Sequence, residues 1–158
     1  MTVILTCNEP KKIRELFGDD RLEIPMGFDM MLITKSGRIV IERKRVPGDL
    51  LSSVSDGRLN NEILAMRGET QIQILLLHGS IRYDKNGYIS VHGRSRPERA
   101  WNRKGIINLL RTIQYVEGVY IEEASNSKEL VQVLQDLQEY FDKGSHTSIK
   151  SRPRIQTD

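Results

Sequence analysis

The sequence predicts an α/β fold, a central mixed β-sheet with helices on both faces. Three observations carry this. Short β-branched and apolar runs alternate along the chain with segments of helical periodicity. Ile74-Leu75-Leu76-Leu77 is a continuous apolar run, as expected of a strand buried on both faces. Turn signals separate the segments, among them Ser36-Gly37, Asp56-Gly57 and Asn86-Gly87.

Thr2 to Thr6 reads as a first strand. Pro10 to Phe17 reads as a short helix, with Pro10 in its first turn and Gly18 past its end. Arg21 to Ile24 is a short edge strand. Phe28 to Thr34 and Arg38 to Lys44 flank Lys35-Ser36-Gly37 and form a hairpin. Pro47-Gly48-Asp49 opens a helix that Asp56-Gly57 closes, and Arg58 to Arg67 is a second helix with Leu59, Ile63 and Met66 inward. Gln71 to Leu77 is a central strand. Ile81 to Val91 is a hairpin around Asn86-Gly87, with Tyr83 and Tyr88 as a cross-strand pair. Glu98 to Val116 is a long helix on whose apolar side Trp101 starts, and Gly118 to Ile121 a last short strand. Ser127 to Phe141 is amphipathic, with Leu130, Val133, Leu134, Leu137 and Phe141 at helical spacing. This gives one domain over residues 1–142, followed by a basic, disordered tail over 143–158.

The chemistry concentrates in Ile39-Val40-Ile41-Glu42-Arg43-Lys44, then Arg45-Val46-Pro47-Gly48-Asp49. Alternation along a strand puts Glu42 and Lys44 on one face and Arg43 on the other. A turn at Ser36-Gly37 sets Asp29 opposite Lys44 or within a residue or two of it, with cross-strand neighbours roughly 5 Å apart. Two carboxylates and an ammonium on one patch fit metal-assisted hydrolysis. Asp29 and Glu42 would bind Mg²⁺, and Lys44 would hold the attacking water or offset transition-state charge. Asp49 would orient Lys44 or join a second metal site. Plainer roles stand beside these: an exposed Glu42–Lys44 ion pair, a helix cap at Asp49, an edge charge at Asp29 and a surface position for Glu62.

Composition narrows the field. The 24 Lys and Arg against 21 Asp and Glu leave a net charge of +3, too small to specify a partner. Its distribution says more. Arg82, Lys85, Arg94, Arg96, Arg99, Arg103 and Lys104 face only Asp84 and Glu98 over that stretch, which suits a polyanion. The single cysteine, Cys7, excludes an internal disulfide and suits an intracellular, reducing setting. His78, His92 and His146 lack metal-ligand spacing and read as surface or strand-end residues. No membrane span or secretory signal is expected.

Asp29, Glu42-Arg43-Lys44, Asp49 and the later Gly57-Arg58-Leu59 together resemble the XPF-type structure-specific nuclease family, over about residues 3–142. Its signature is G-D…E-R-K-x-x-x-D in a restriction-endonuclease-like fold. The resemblance implies a catalytic set of Asp29, Glu42, Arg43, Lys44 and Asp49, with Asp29, Glu42 and Asp49 toward the metal. It implies Mg²⁺ as cofactor, with Mn²⁺ substituting, and cleavage of branched or junction DNA such as flaps and forks. The chain departs from the pattern in three places. Phe28 stands where the family has Gly, four residues rather than three precede Asp49, and Thr6-Cys7-Asn8-Glu9 keeps only Glu9 of an Asp-x-Arg-Glu-like motif. Whether one or two metals bind stays open.

Family nuclease domains are usually followed by a tandem helix-hairpin-helix domain. With nothing folded expected after residue 142, Arg58, Arg94, Arg96, Arg99, Arg103, Lys104 and the tail, or a partner, would supply the DNA grip. The family also pairs through its late helices, which implies a homodimer near residues 98–142. Two alternatives remain: a catalytically silent DNA-binding scaffold of the same fold, and a nuclease acting on simple duplex.

Overall fold

The computed structural model describes residues 1–70, 72–90, 101–143 and 146. Its framework is a six-stranded mixed sheet in the order β2-β1-β3-β4-β5-β6. The strands are β1 (Val3–Thr6), β2 (Arg21–Ile24), β3 (Met30–Thr34), β4 (Gly37–Arg45), β5 (Ile72–His78) and β6 (Tyr120–Ala124). The β3–β4 hairpin is antiparallel, with Met30 opposite Ile41, while β4, β5 and β6 run parallel. The parallel β4–β5 pair brings Glu42, Arg43, Lys44 and Arg45 beside Leu75, Leu76, Leu77 and His78. Charged residues thus emerge at the carboxyl ends of the two innermost parallel strands.

The period of two in β4 sorts its side chains between two cores. Ile39 and Ile41 join Val3, Leu5, Met30, Leu32, Ile74 and Leu76 under helix α5 (Ser127–Asp142). Val40 joins Met31, Leu75 and Leu77 under helices α2 (Gly48–Ser55) and α3 (Arg58–Arg67). Leu50 is fully buried and seats α2 against the sheet. Truncating it to Ala would cost about 2–5 kcal/mol and loosen the helix that carries Asp49. Gly57 adopts φ 79° between α2 and α3, a left-handed corner that disfavours any side chain.

Several sequence-based expectations need correction. The first helix is the single α-helical turn α1 (Lys11–Arg14), followed by a 3₁₀ segment, Glu15–Asp20. The tight 3₁₀ stretch takes the chain straight into edge strand β2. The last strand begins two residues later than expected and runs to Ala124, because Gly118 has φ 71° and cannot extend a ladder. Tyr83 and Tyr88 do not pair with each other: Tyr83 bridges Ile89, and Tyr88 bridges Asn102. The Asp84 carboxylate accepts from the Asn86 and Tyr88 amides, which tightens the turn and shifts the register. Among the described residues the late helix, α4, spans Arg103–Arg111 and continues as a π-helical turn, Thr112–Val116. Asn102 caps it by accepting from the Gly105 amide, which leaves Trp101 half-buried ahead of the helix. The rest of the expected helix and hairpin, over 91–100, and the expected tail, apart from Lys143 and His146, lie outside the described residues. No helix among the described residues is long and apolar enough to cross a membrane.

Candidate active site

A polar cleft of about 880 Å³ opens where β4 and β5 end. Its lining includes Glu9, Asp29, Glu42, Arg43, Lys44, Asp49, Arg58, Glu62 and His78. Glu42, Arg43, Lys44 and Glu9 are all buried, at 3%, 5%, 3% and 4% exposure. Charged side chains at such depth are costly unless paired, so their partners define the site.

The α2/α3 face holds Glu42 and Lys44. Lys44 Nζ lies 3.0 Å from Glu42 Oε1 and 2.7 Å from Glu62 Oε2, which reaches in from α3. Glu42 Oε2 is buried without a hydrogen-bond partner, and Glu62 Oε2, also buried, has the Lys44 ammonium as its ion-pair contact. Asp29 precedes β3. The Thr6 amide donates to its carbonyl at 2.8 Å, and its Oδ2 accepts from the Arg43 amide at 2.9 Å. That clamp fixes the carboxylate beside Glu42. Burial, then the neighbouring Asp29, pushes the Glu42 carboxyl up to about 8. Burial likewise raises Asp29, against the pull of the Arg43 amide. The two carboxyls therefore tend to retain protons that a bound cation would displace. Lys44 is raised: its two glutamate partners outweigh burial, the largest single effect, which acts to lower it.

The opposite face holds Arg43. Its guanidinium donates to Glu9 through Nε and Nη2, with the shortest contact 2.9 Å to Oε2. Nη1 lies 3.2 Å from His78 Nδ1. An arginine can only donate, so Nδ1 is the acceptor and the ring proton sits on Nε2. Burial, followed by Arg43, Lys12 and Arg45, lowers the His78 pKa. Burial and Asp29 push Glu9 up to about 7 against the attraction of Arg43.

The remaining expected site residues sit farther out. Asp49 lies in the first turn of α2, and its Oδ1 lies 4.0 Å from Arg58 Nη1. Lys44 takes its carboxylates from Glu42 and Glu62, so Asp49 does not orient it here. Arg58 is half-exposed at the rim, held by Asp56 at 2.7 Å and by Ser52 Oγ at 3.2 Å. Arg103 and Lys104 are exposed at the start of α4, and Arg94, Arg96 and Arg99 lie outside the described residues. Glu62 is part-buried, with its side chain 21% exposed and turned to Lys44, rather than a free surface residue. Its position between Leu59 and Met66, at helical spacing, was the available signal.

Among the described residues no three His, Cys, Asp or Glu side chains form a ready metal-binding group. The donor chemistry nevertheless suits a hard cation. The inner part of the cleft brings together the carboxyls of Glu9, Asp29, Glu42 and Glu62 and the cations Arg43 and Lys44, with Asp49 and Arg58 farther out, and Glu42 Oε2 has no hydrogen-bond partner. Mg²⁺ commonly uses one or two carboxylates and completes its shell with water and phosphate oxygens, which needs no protein cage.

Comparison with known proteins fits this geometry. The family model described as the ERCC4 domain matches residues 8–137. No curated protein matches the chain. Solved structures similar to it include XPF from Aeropyrum pernix, at 18% identity and a TM-score of 0.64, covering 99% of this chain and 70% of that one. A second is XPF from Aeropyrum pernix in complex with DNA, at 18% identity and a TM-score of 0.61, covering 88% of this chain and 64% of that one. The chain thus spans about two thirds of the length of either. The mixed six-stranded sheet flanked by helices is the restriction-endonuclease-like arrangement of those domains. The chain belongs to the ERCC4 domain family and has the fold of the XPF-type nuclease domain.

Proposed function

We propose that this chain is a Mg²⁺-dependent DNA endonuclease that hydrolyses phosphodiester bonds in branched or junction DNA. The observation that carries the reading is the α2/α3 face of β4. There a buried carboxylate oxygen without a partner, Glu42 Oε2, sits beside a clamped Asp29 and a paired Lys44. Asp29 and Glu42 would hold the divalent ion, which supplies Lewis-acid polarisation of a phosphoryl oxygen and charge compensation. Lys44 carries three N–H donors and two carboxylate partners, so one donor stays available for the attacking water or a non-bridging oxygen. Its positive charge offsets the negative charge that grows on the phosphorane-like transition state. Water oxygen bonds to phosphorus as the bond to the leaving alkoxide breaks in line. Arg43 is spent on Glu9 and His78, so its part is to hold Glu9 and, through its amide, Asp29.

DNA binding is supported by the basic residues around the cleft and by a structural relative described in complex with DNA. A second copy of the chain is the expected protein partner. Tyr115 at 81% exposure, Val116 at 73% and Tyr120 at 63% offer it an apolar surface near β6, and sedimentation would report the dimer.

The test uses a labelled fork, flap, four-way junction and linear duplex with Mg²⁺, Mn²⁺ or EDTA, beside Lys44→Ala and Asp29→Asn. Metal-dependent cutting of a branched substrate that both substitutions abolish is expected. Absence of any metal-dependent cut leaves the silent scaffold, and equal cutting of linear duplex favours a simple duplex nuclease.

A further inference from the structure

The α1 side of the cleft differs from every other part of its rim. Lys12 from α1, Arg45 at the end of β4 and His78 at the end of β5 all line it. Arg45 and His78 are direct neighbours in the parallel ladder, and the Val46 amide donates to the His78 carbonyl at 3.0 Å. Alternation places Arg45 on the same face as Arg43, toward α1, rather than on the Lys44 face. Lys12 and Arg45 are exposed, and among the described residues neither takes part in an ion pair. The facing rim shows the opposite arrangement, since Arg58 is engaged by Asp56, Ser52 and Asp49. Glu9, the carboxylate nearest the α1 side, is buried and committed to Arg43. His78 has its Nδ1 lone pair occupied by Arg43, so its remaining polar group is the Nε2–H donor.

Two free cations and a ring N–H with fixed tautomer, gathered on one cleft wall without a competing carboxylate, make an anion subsite. Arg45 follows Lys44 directly in β4, so the wall borders the same cleft that would hold the scissile phosphate. We infer that Lys12, Arg45 and His78 form a phosphate-binding subsite that takes a neighbouring phosphodiester of the DNA strand cut by this domain and so sets where the strand lies across Lys44. The inference rests on the endonuclease reading given above and adds a binding site to it. Arg45 and Lys12 act as point charges on the backbone, and the His78 Nε2–H donates one directed hydrogen bond.

The experiment measures binding of a fluorescein-labelled fork to the full chain carrying Lys44→Ala, so that no cleavage interferes, over a series of salt concentrations. Lys12→Ala with Arg45→Ala should weaken binding roughly tenfold at moderate salt and make the slope of log K against log salt shallower by about 0.9, the share of the one phosphate that the subsite neutralises. Lys11→Ala, which removes one positive charge next to Lys12 in sequence but from a residue paired with Glu15, should leave the slope unchanged. His78→Asn keeps an acceptor for Arg43 and removes the Nε2–H, and should weaken binding a few-fold with no change in Tm. If the double variant binds with the parental slope and affinity, the subsite is overturned and the endonuclease reading is untouched. Failure of the parent itself to bind any DNA overturns both.

Discussion

The two faces of β4 carry the same kind of residue and treat it differently. On the α1/α5 face Arg43 meets a bidentate carboxylate in Glu9 and an acceptor in His78, so each of its three nitrogens is engaged. On the α2/α3 face Lys44 sits between two glutamates, and Glu42 keeps its second oxygen, Oε2, buried without a hydrogen bond. A one-residue step in sequence separates a finished structural pair from an unfinished one. A buried pair with complete hydrogen bonding holds the strand end in place, whereas an incomplete one retains capacity for a ligand. On the proposed reading Arg43 serves stability and Lys44 the chemistry, although both come from one Glu-Arg-Lys run.

The largest expected effect breaks the Arg43 side. Arg43→Ala leaves Glu9 buried beside Asp29 without its counter-charge, and should cost about 3–5 kcal/mol in urea unfolding. Next comes Lys44→Ala, which should lower the single-turnover cleavage rate of the folded protein by roughly 10²–10³ and also lower Tm, because Glu42 and Glu62 lose their shared cation. The faces should also part in their response to pH. Glu42, raised from 4.5 to about 8, and Glu9, raised from 4.5 to about 7, hold protons more tightly in the folded state than in the unfolded chain. Their contribution is therefore fully present below about 4.5 and is lost as pH rises through 7 and 8, so metal-free stability should decline across that window. Mg²⁺ should flatten the decline that Glu42 causes, because a bound cation favours the ionised carboxylate. Thermal unfolding with and without Mg²⁺ reads this out. The smallest effect is expected at the outer rim: Asp49→Asn should shift stability by under ~1 kcal/mol, since its contact with half-exposed Arg58 is long and solvated. A large loss of cleavage in Asp49→Asn at unchanged stability would instead give Asp49 a direct part in the chemistry.

Much of this contrast was legible in the residues. The period of two alone puts Glu42 and Lys44 together and Arg43 opposite, and the Ser36-Gly37 turn brings Asp29 to the strand end. The apolar stripes of α2, α3 and α5 follow from helical spacing. The partners were harder to read. Glu62 and Glu9 reach the site only through the packing of α3 and of the loop after β1, which local pattern does not encode. Glu62 did leave a trace, because Leu59, Glu62, Ile63 and Met66 share one inward stripe. His78 carried no signal as a single strand-end histidine, and its role depends on lying across the ladder from Arg45. Asp49 was drawn toward Lys44 by the motif spacing, but Pro47 and Gly48 turn the chain so that it meets Arg58.

The most direct test of the central claim is cleavage of a labelled DNA fork in Mg²⁺ by the unaltered chain beside Glu42→Gln, which replaces the carboxylate bearing the unpartnered oxygen with a neutral amide of the same shape. The account predicts cutting by the unaltered chain that EDTA abolishes, and none by the folded Glu42→Gln protein. Cutting by Glu42→Gln at the unaltered rate, or no cutting by the unaltered chain in either Mg²⁺ or Mn²⁺, would contradict it.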